Sequence, residues 1–366
     1  MDDLRRLDML AADARFDVCG YGGKDSRHQG TSPLHFIYRA SLPRGGTVCL
    51  FKTLLTSVCT NDCAYCTNQV GRDKPRTSFQ PDDLARLFMD LHHRRLAHGL
   101  FLSSGIAVDA SRTMESMVKT VEILRQRYQF KGYIHLKILP GAPFDCIEEG
   151  CRLANRVSVN MEAPTVDHLA KLSSRKQLHE GIVERMRWVK QIAARNEGTV
   201  PSGQTTQFVV GAAGESDRDI LRTTAALYRE VELRRAYFSA FQPIEDSPLE
   251  GREATPPLRE HRLYQADWLL RVYGFSPAEV ELALGAHGDL SLAKDPKLTI
   301  ARKQPWLFPV DVNRASREEL LRVPGIGPVS AGRIVEARRE HSISAVSQLK
   351  KMGVVTGRAT PFIWFR

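Results

Sequence analysis

Short apolar runs alternate along this chain with longer stretches in which apolar positions recur every three to four residues. Val48 to Thr56 is apolar and β-branched and reads as a strand. Pro81 to His98 has helical spacing behind a proline and acids, the residues that open helices. The pairing repeats. Strands are predicted at Leu100 to Ser104, Tyr133 to Leu139, Arg156 to Met161, Thr205 to Val210 and Arg235 to Phe241. Between and after them lie helical stretches at Ser111 to Tyr128, Phe144 to Ala154, the region up to about Arg195, Asp217 to Glu230 and Leu258 to Tyr273. Six strands alternating with helices predict an α/β fold with a parallel sheet, open or curled into a barrel.

Strands covered on both faces are usually apolar throughout. Several here alternate instead. Tyr133, His135 and Lys137 share one face of their strand, Arg156, Ser158, Asn160 and Glu162 one face of the next, and Tyr237, Ser239 and Phe241 one face of the last. Polar groups inside a barrel predict a cavity for a polar ligand. His135, Lys137, Glu162 and Tyr237 are the candidate substrate contacts.

Residues 1–45 read as an irregular lead-in, with glycine-rich Cys19 to Lys24 and a Pro43 to Gly46 turn. Residues 46–275 hold the barrel pattern, 276–308 a helix (Pro277 to Leu284) and a loose linker, and 309–366 a compact helical domain. No apolar run is long enough to span a membrane, and the charged N-terminus leads into no apolar signal core, so a cytoplasmic protein is expected. Net charge changes the picture further. Residues 301–366 hold twelve Lys or Arg against five Asp or Glu, which is +7 of the chain's +10. A tail this basic points to an anionic partner, most simply nucleic acid.

Seven cysteines, odd in number and unevenly clustered, argue against a disulfide framework. Cys59, Cys63 and Cys66 form a CxxxCxxC loop just past the first strand, on the face where parallel barrels carry their active sites. Three thiolates there can converge on one metal centre. A structural zinc would want a fourth protein ligand, and none follows nearby. A four-iron cluster on three cysteines leaves one iron open. Cys146 and Cys151 read as buried free cysteines, and His92 and His93 as surface residues of a charged helix.

The loop, with aromatic Tyr65 before its last cysteine, resembles that of the radical S-adenosylmethionine (SAM) superfamily, over about Val48 to Tyr273. The resemblance implies a partial (β/α)6 TIM-like barrel, a [4Fe-4S] cluster on Cys59, Cys63 and Cys66, and SAM bound to the open iron. It also implies reductive cleavage of SAM to a 5′-deoxyadenosyl radical. The family's SAM contacts map onto Ser103, Ser104 and Gly105 for the amino group, and Ser158, Asn160 or Glu162 for the ribose. A glycine segment maps onto Gly211 to Glu215, with Gly211 and Gly214, and the adenine contact onto Phe241. Serines stand where the family has glycines after the second strand.

Leu321 to Ile334 resembles a helix-hairpin-helix motif, which implies a small all-α domain. Ser316 to Arg322 is the expected first helix, Gly325, Ile326 and Gly327 the tight turn, and the second helix opens near Pro328 with bare amides suited to a phosphate. Arg333, Arg338, Arg339 and Lys350 add charge. A second, partial hairpin is expected around Gly353 and Val354. Barrel plus hairpin resembles a bacterial radical SAM family linked to DNA modification or repair and to a uracil-DNA glycosylase-like partner. That implies DNA binding without sequence reading and an external electron donor. RNA, a protein or a metabolite as substrate, or a non-enzymatic iron-sulfur redox sensor on DNA, are the alternative readings.

Overall fold

The computed structural model describes residues 3–14, 17, 36–41 and 47–366. The glycine-rich Cys19–Lys24 stretch and the Pro43–Gly46 turn fall outside the described residues. The chain forms two compact units: residues 1–215 with 226–255, and residues 216–225 with 256–366.

The first unit is built on a curled seven-stranded sheet in sequential order: β1 (Ile37–Ser41), β2 (Thr47–Leu54), β3 (Gly99–Ser103), β4 (Tyr133–Lys137), β5 (Arg156–Ser158), β6 (Gln204–Val210) and β7 (Arg235–Ala240). β1 pairs antiparallel with β2, and all later pairs are parallel. This is a half-barrel with one added antiparallel edge. Helices α1 (Asp3–Ala14), α2 (Pro81–His93), α3 (Ala110–Gln126), α4 (Phe144–Leu153), α5 (Val166–Ala170) and α6 (Glu184–Arg195) accompany it, with a π-helical turn at Leu178–Val183 ahead of α6. The lead-in is therefore not wholly irregular: α1 and β1 lie within it.

The two faces of the sheet differ as the alternation predicts. Leu100, Leu102, Ile134, Leu136, Val157, Phe208 and Phe238 pack one face, each at most 1% exposed. Burying side chains of this size contributes about 1.5–3 kcal/mol each. The opposite face carries Lys52, Phe101, His135 and Arg156 side by side in register, and one layer on Lys137, Ser158, Thr205 and Arg235.

Two elements end well before the pattern predicts. α2 stops at His93, because Arg95 takes a left-handed φ of 59° and Leu96 N–H turns back to the Leu91 carbonyl at 3.0 Å. That places His92 against Phe88 and Phe130, half-buried, rather than on the surface, while His93 is exposed. β5 stops at Ser158 instead of Met161. Between the pairs Ser158–Thr205 and Glu162–Phe208, the β5 side has one residue more than the β6 side, which is a bulge. The Thr206 hydroxyl fills the broken ladder, donating to Val159 O at 2.7 Å and accepting from Met161 N at 2.9 Å. Glu162 then adopts φ 63°, so strict alternation does not set its direction. Cys146 and Cys151 are buried on α4 as expected.

α7 (Asp217–Glu230) is followed in the second unit by α8 (Pro257–Arg271), α9 (Pro277–Glu281) and α10 (Pro296–Lys303). α10 corrects the loose linker: Asp295 caps it by accepting from Leu298 N, and Pro296 opens it. After a two-stranded pair, β8 (Val310–Asp311) with β9 (Ile363–Trp364), come α11 (Arg317–Arg322), α12 (Pro328–Ala337), α13 (Val346–Lys351) and α14 (Thr356–Ala359). Their core is Val312, Leu320, Leu321, Val323, Ile326, Ile334, Leu349 and neighbours. Among the described residues no helix is long and apolar enough to cross a membrane.

Candidate functional site

The CxxxCxxC loop leaves the C-terminal end of β2 and is pinned on all sides by backbone bonds. Thr60 N–H donates to Ile106 O at 2.7 Å, Ala64 N–H to Leu172 O at 2.8 Å, and Val70 N–H to Asn61 O at 2.8 Å. Cys63 is buried and Cys59 and Cys66 half-buried. Ile106 N–H donates to the Cys59 sulfur and Asn68 N–H to the Cys66 sulfur, each at 3.4 Å. Burial and the neighbouring Cys63 push the Cys66 thiol up to about 12. A thiol that resists ionisation this strongly needs a cation to hold it as the thiolate.

The donor set fits a four-iron cluster. Among the described residues no three His, Cys, Asp or Glu side chains close on a single ion. A cluster instead spreads its thiolates over separate irons. Gly105 shows how tightly the next strand end is drawn in. A Cβ there would stand 2.4 Å from Val58 O and 3.2 Å from Cys59 Cβ.

A residue that the sequence did not single out faces the sulfurs. Lys176 donates to the Tyr65 hydroxyl at 2.9 Å and to Glu162 at 3.1 Å, with its ammonium 5.5 Å from the Tyr65 ring centre. Burial works against its charge, but Cys63 and Glu162 outweigh burial and raise its pKa. Tyr65, by contrast, is held as the neutral phenol by burial and by Glu162. The whole segment around Lys176 closes over the loop. Asp62 accepts from the Ser173 and Ser174 hydroxyls at 2.5 and 2.6 Å, and from Ser174 N at 3.1 Å. Those bonds outweigh partial burial and hold Asp62 down at about 2. Lys171 reaches on to Ala213 O at 3.3 Å.

The other expected SAM contacts fall at the same end of the sheet. Ser103, Ser158, Asn160 and Glu162 are buried, and the Ser104 hydroxyl is buried with no hydrogen-bond partner among the described residues. Gly211 and Gly214 take φ of 88° and 75°, which glycine adopts freely. The Glu215 carboxylate folds back onto the amides of Gly211 and Ala213. Phe241 is buried, its N–H donating to Val210 O and its carbonyl accepting from Thr255 N. Tyr237 lies under the Arg235 guanidinium, 4.8 Å from its ring centre.

In the hairpin, Ser316 caps α11 with a Glu319 capping box. Gly325 has φ 89°, and a Cβ there would meet Val355 O at 2.6 Å. Gly353 repeats that turn at φ 86°, followed by α14, so the partial second hairpin is present. Gly327 is the N-cap of α12, whose first amides have no helical partner. Two calls change. Ile326 is 1% exposed in the core, so only its backbone can meet a phosphate, and its carbonyl already accepts from Lys297 at 2.6 Å. Arg338 is committed to the Val312 and Ala315 carbonyls. Arg333, Arg339 and Lys350 are exposed.

Residues 53–227 match the family model of the radical SAM superfamily, and residues 309–357 match that of the helix-hairpin-helix motif. Similar solved structures include HydG, a maturase of the [FeFe]-hydrogenase (10% identity over 60% of this chain and 49% of that chain, TM-score 0.47). HydG from Carboxydothermus hydrogenoformans is another (11%, 59% and 50%, TM-score 0.46). A third is methylornithine synthase, PylB (15%, 59% and 60%, TM-score 0.48). This chain spans about half to three fifths of the length of those structures. No curated protein matches the sequence. Residues 53–227 are a radical SAM domain, of an enzyme class that uses a [4Fe-4S] cluster and SAM, and the C-terminal unit contains a helix-hairpin-helix.

Proposed function

We propose that this chain is a radical SAM enzyme that modifies or repairs DNA. The observation that carries the reading is the pinned loop of Cys59, Cys63 and Cys66 at the C-terminal end of a half-barrel with a polar interior. Those three cysteines would hold the cluster and leave one iron for the amino and carboxylate groups of SAM. When bound, the pair supplies a 5′-deoxyadenosyl radical, formed as one electron from an external donor splits the sulfonium bond and leaves methionine. The chain's own groups prepare the site. The Ile106 and Asn68 amides donate to the cysteine sulfurs and so stabilise their negative charge. Asp62 and its two serines fix the loop, and Lys176, steadied by Glu162, sets a cation beside it. Ser104, Ser158 and Asn160 offer buried polar atoms for SAM.

The hairpin supports DNA as the partner. The α12 amides and Arg333 suit phosphate oxygens, and such contacts hold DNA without reading bases. A base inside a duplex would have to be flipped out to meet a radical. A uracil-DNA glycosylase-like protein and an external reductant complete the set of partners. The test is anaerobic: reconstitute the cluster, reduce it, add SAM, and assay 5′-deoxyadenosine with and without single- and double-stranded DNA. Product that rises with DNA is expected. Product indifferent to DNA would move the substrate elsewhere, and none from an intact cluster would leave a sensor.

A further inference from the structure

Residues 172–176 cross the cysteine loop as a strap. Leu172 O accepts from Ala64 N–H, the Ser173 and Ser174 hydroxyls donate to Asp62, and Arg175 donates to Thr60 O. Lys176, the next residue, ends on side chains instead. Its ammonium donates to the Tyr65 hydroxyl at 2.9 Å and to Glu162 at 3.1 Å. Tyr65 directly precedes Cys66 and lies two residues past Cys63, so a cation held on it is held beside the sulfurs. Glu162 reaches the same point from the far side of the β5 bulge. Its φ of 63° is a conformation that a non-glycine residue keeps only where its surroundings hold it.

Two other charges belong to this loop and strap. Asp62 is half-buried and Arg175 exposed, so water and salt screen them. The Lys176 and Glu162 side chains are buried, where a charge acts more strongly on its neighbours. The positive end of the pair is turned to the sulfurs: Cys63 attracts the ammonium more than Glu162 does, and Cys66 adds to that pull. An iron-sulfur cluster gains negative charge on reduction, and its potential follows the charge and burial around it. Burial alone holds the potential down. A fixed cation favours the reduced form and lifts it.

We propose that Lys176 raises the reduction potential of the cluster held by Cys59, Cys63 and Cys66, so that a weaker external one-electron donor suffices, and that Glu162 positions the ammonium and moderates its charge. The inference rests on the reading of this loop as the cluster site.

A purely mechanical latch would behave differently. Breaking it from either side would loosen the same loop and move the potential the same way. An electrostatic role gives opposite signs, because one variant removes a positive charge and the other leaves it uncompensated. The test is an anaerobic potentiometric titration of the reconstituted full chain without SAM, followed by electron paramagnetic resonance of the reduced cluster. Lys176→Met should shift the one-electron equilibrium toward the oxidised cluster by at least tenfold, about 59 mV. Glu162→Gln should shift it toward the reduced cluster by a smaller factor. Lys176→Arg, which keeps the charge, should stay close to wild type. Should Lys176→Met fail to load iron, the direction of the Glu162→Gln shift still decides. A potential unmoved by either charge-removing variant in loaded protein, or moved the same way by both, would overturn the inference. No iron-sulfur signal from the wild-type chain would remove the cluster reading itself, a result distinct from an intact cluster indifferent to Lys176.

Discussion

The Lys176 ammonium and the Glu162 carboxylate meet at 3.1 Å beside the cysteine loop, with side chains only 8% and 6% exposed. Breaking a buried pair by removing one partner costs about 3–5 kcal/mol, because the other charge is stranded. Lys176→Met should therefore destabilise the first unit by roughly that amount, read by urea unfolding. It should also strip the cation from the cysteine sulfurs. Glu162→Gln, which keeps a hydrogen-bond acceptor, should cost less. Equal stability of Lys176→Met and wild type would show that the pair is not closed in solution.

Gly105 predicts a failure of cluster loading rather than of folding. An alanine Cβ would press on Val58 O at 2.4 Å and on Cys59 at 3.2 Å, so the residues that must move are those of the cysteine loop. Gly105→Ala should lower iron per chain several-fold after reconstitution, with circular dichroism little changed. Full iron content in the variant would refute this.

The second unit should grow more stable as pH rises above neutral. Burial pushes Lys297 down to about 7, with Asp295 offsetting part of that. A lysine lowered in the fold carries its proton more readily when unfolded. Between about pH 8 and pH 10 the unfolded chain binds the extra proton, so stability rises with pH, by at most about 1.4 kcal/mol per unit for one group. Below pH 7 both states are protonated and the gain is gone. The difference between wild type and Lys297→Met in urea unfolding should carry this slope, and a flat difference would contradict it.

Arg333 and Arg338 should separate binding from folding. Exposed Arg333→Ala should weaken DNA binding alike on all sequences and lower the slope of log affinity against log salt by about one. Arg338→Ala should lower stability instead, since it holds the Val312 and Ala315 carbonyls. A change of salt slope from Arg338→Ala in folded protein would reverse these roles.

Much of this molecule is legible in its sequence, and the illegible parts share a cause. α7 starts and ends where its pattern says, at Asp217 and Glu230, because local spacing sets it. The cysteine loop is legible because its three thiols lie within eight residues. β5 is not, since its early end depends on a Thr206 hydroxyl 45 residues from Met161. Lys176 hides in an unremarkable basic stretch and gains meaning only from Tyr65, 111 residues away. α10 did carry a signal, an aspartate followed by proline, but few apolar positions behind it.

The clasp between Asp62 and Ser173 also sets an order of events. Its two halves are 111 residues apart, and β3, β4 and β5 lie between them. Closing so long a loop is entropically costly until the intervening strands have assembled. The cysteines therefore reach their final places late, in a chain already folded. Small zinc modules work the other way, with metal arriving first and organising the chain. If the proposed cluster is bound here, iron and sulfide would enter a cradle that the chain has already built.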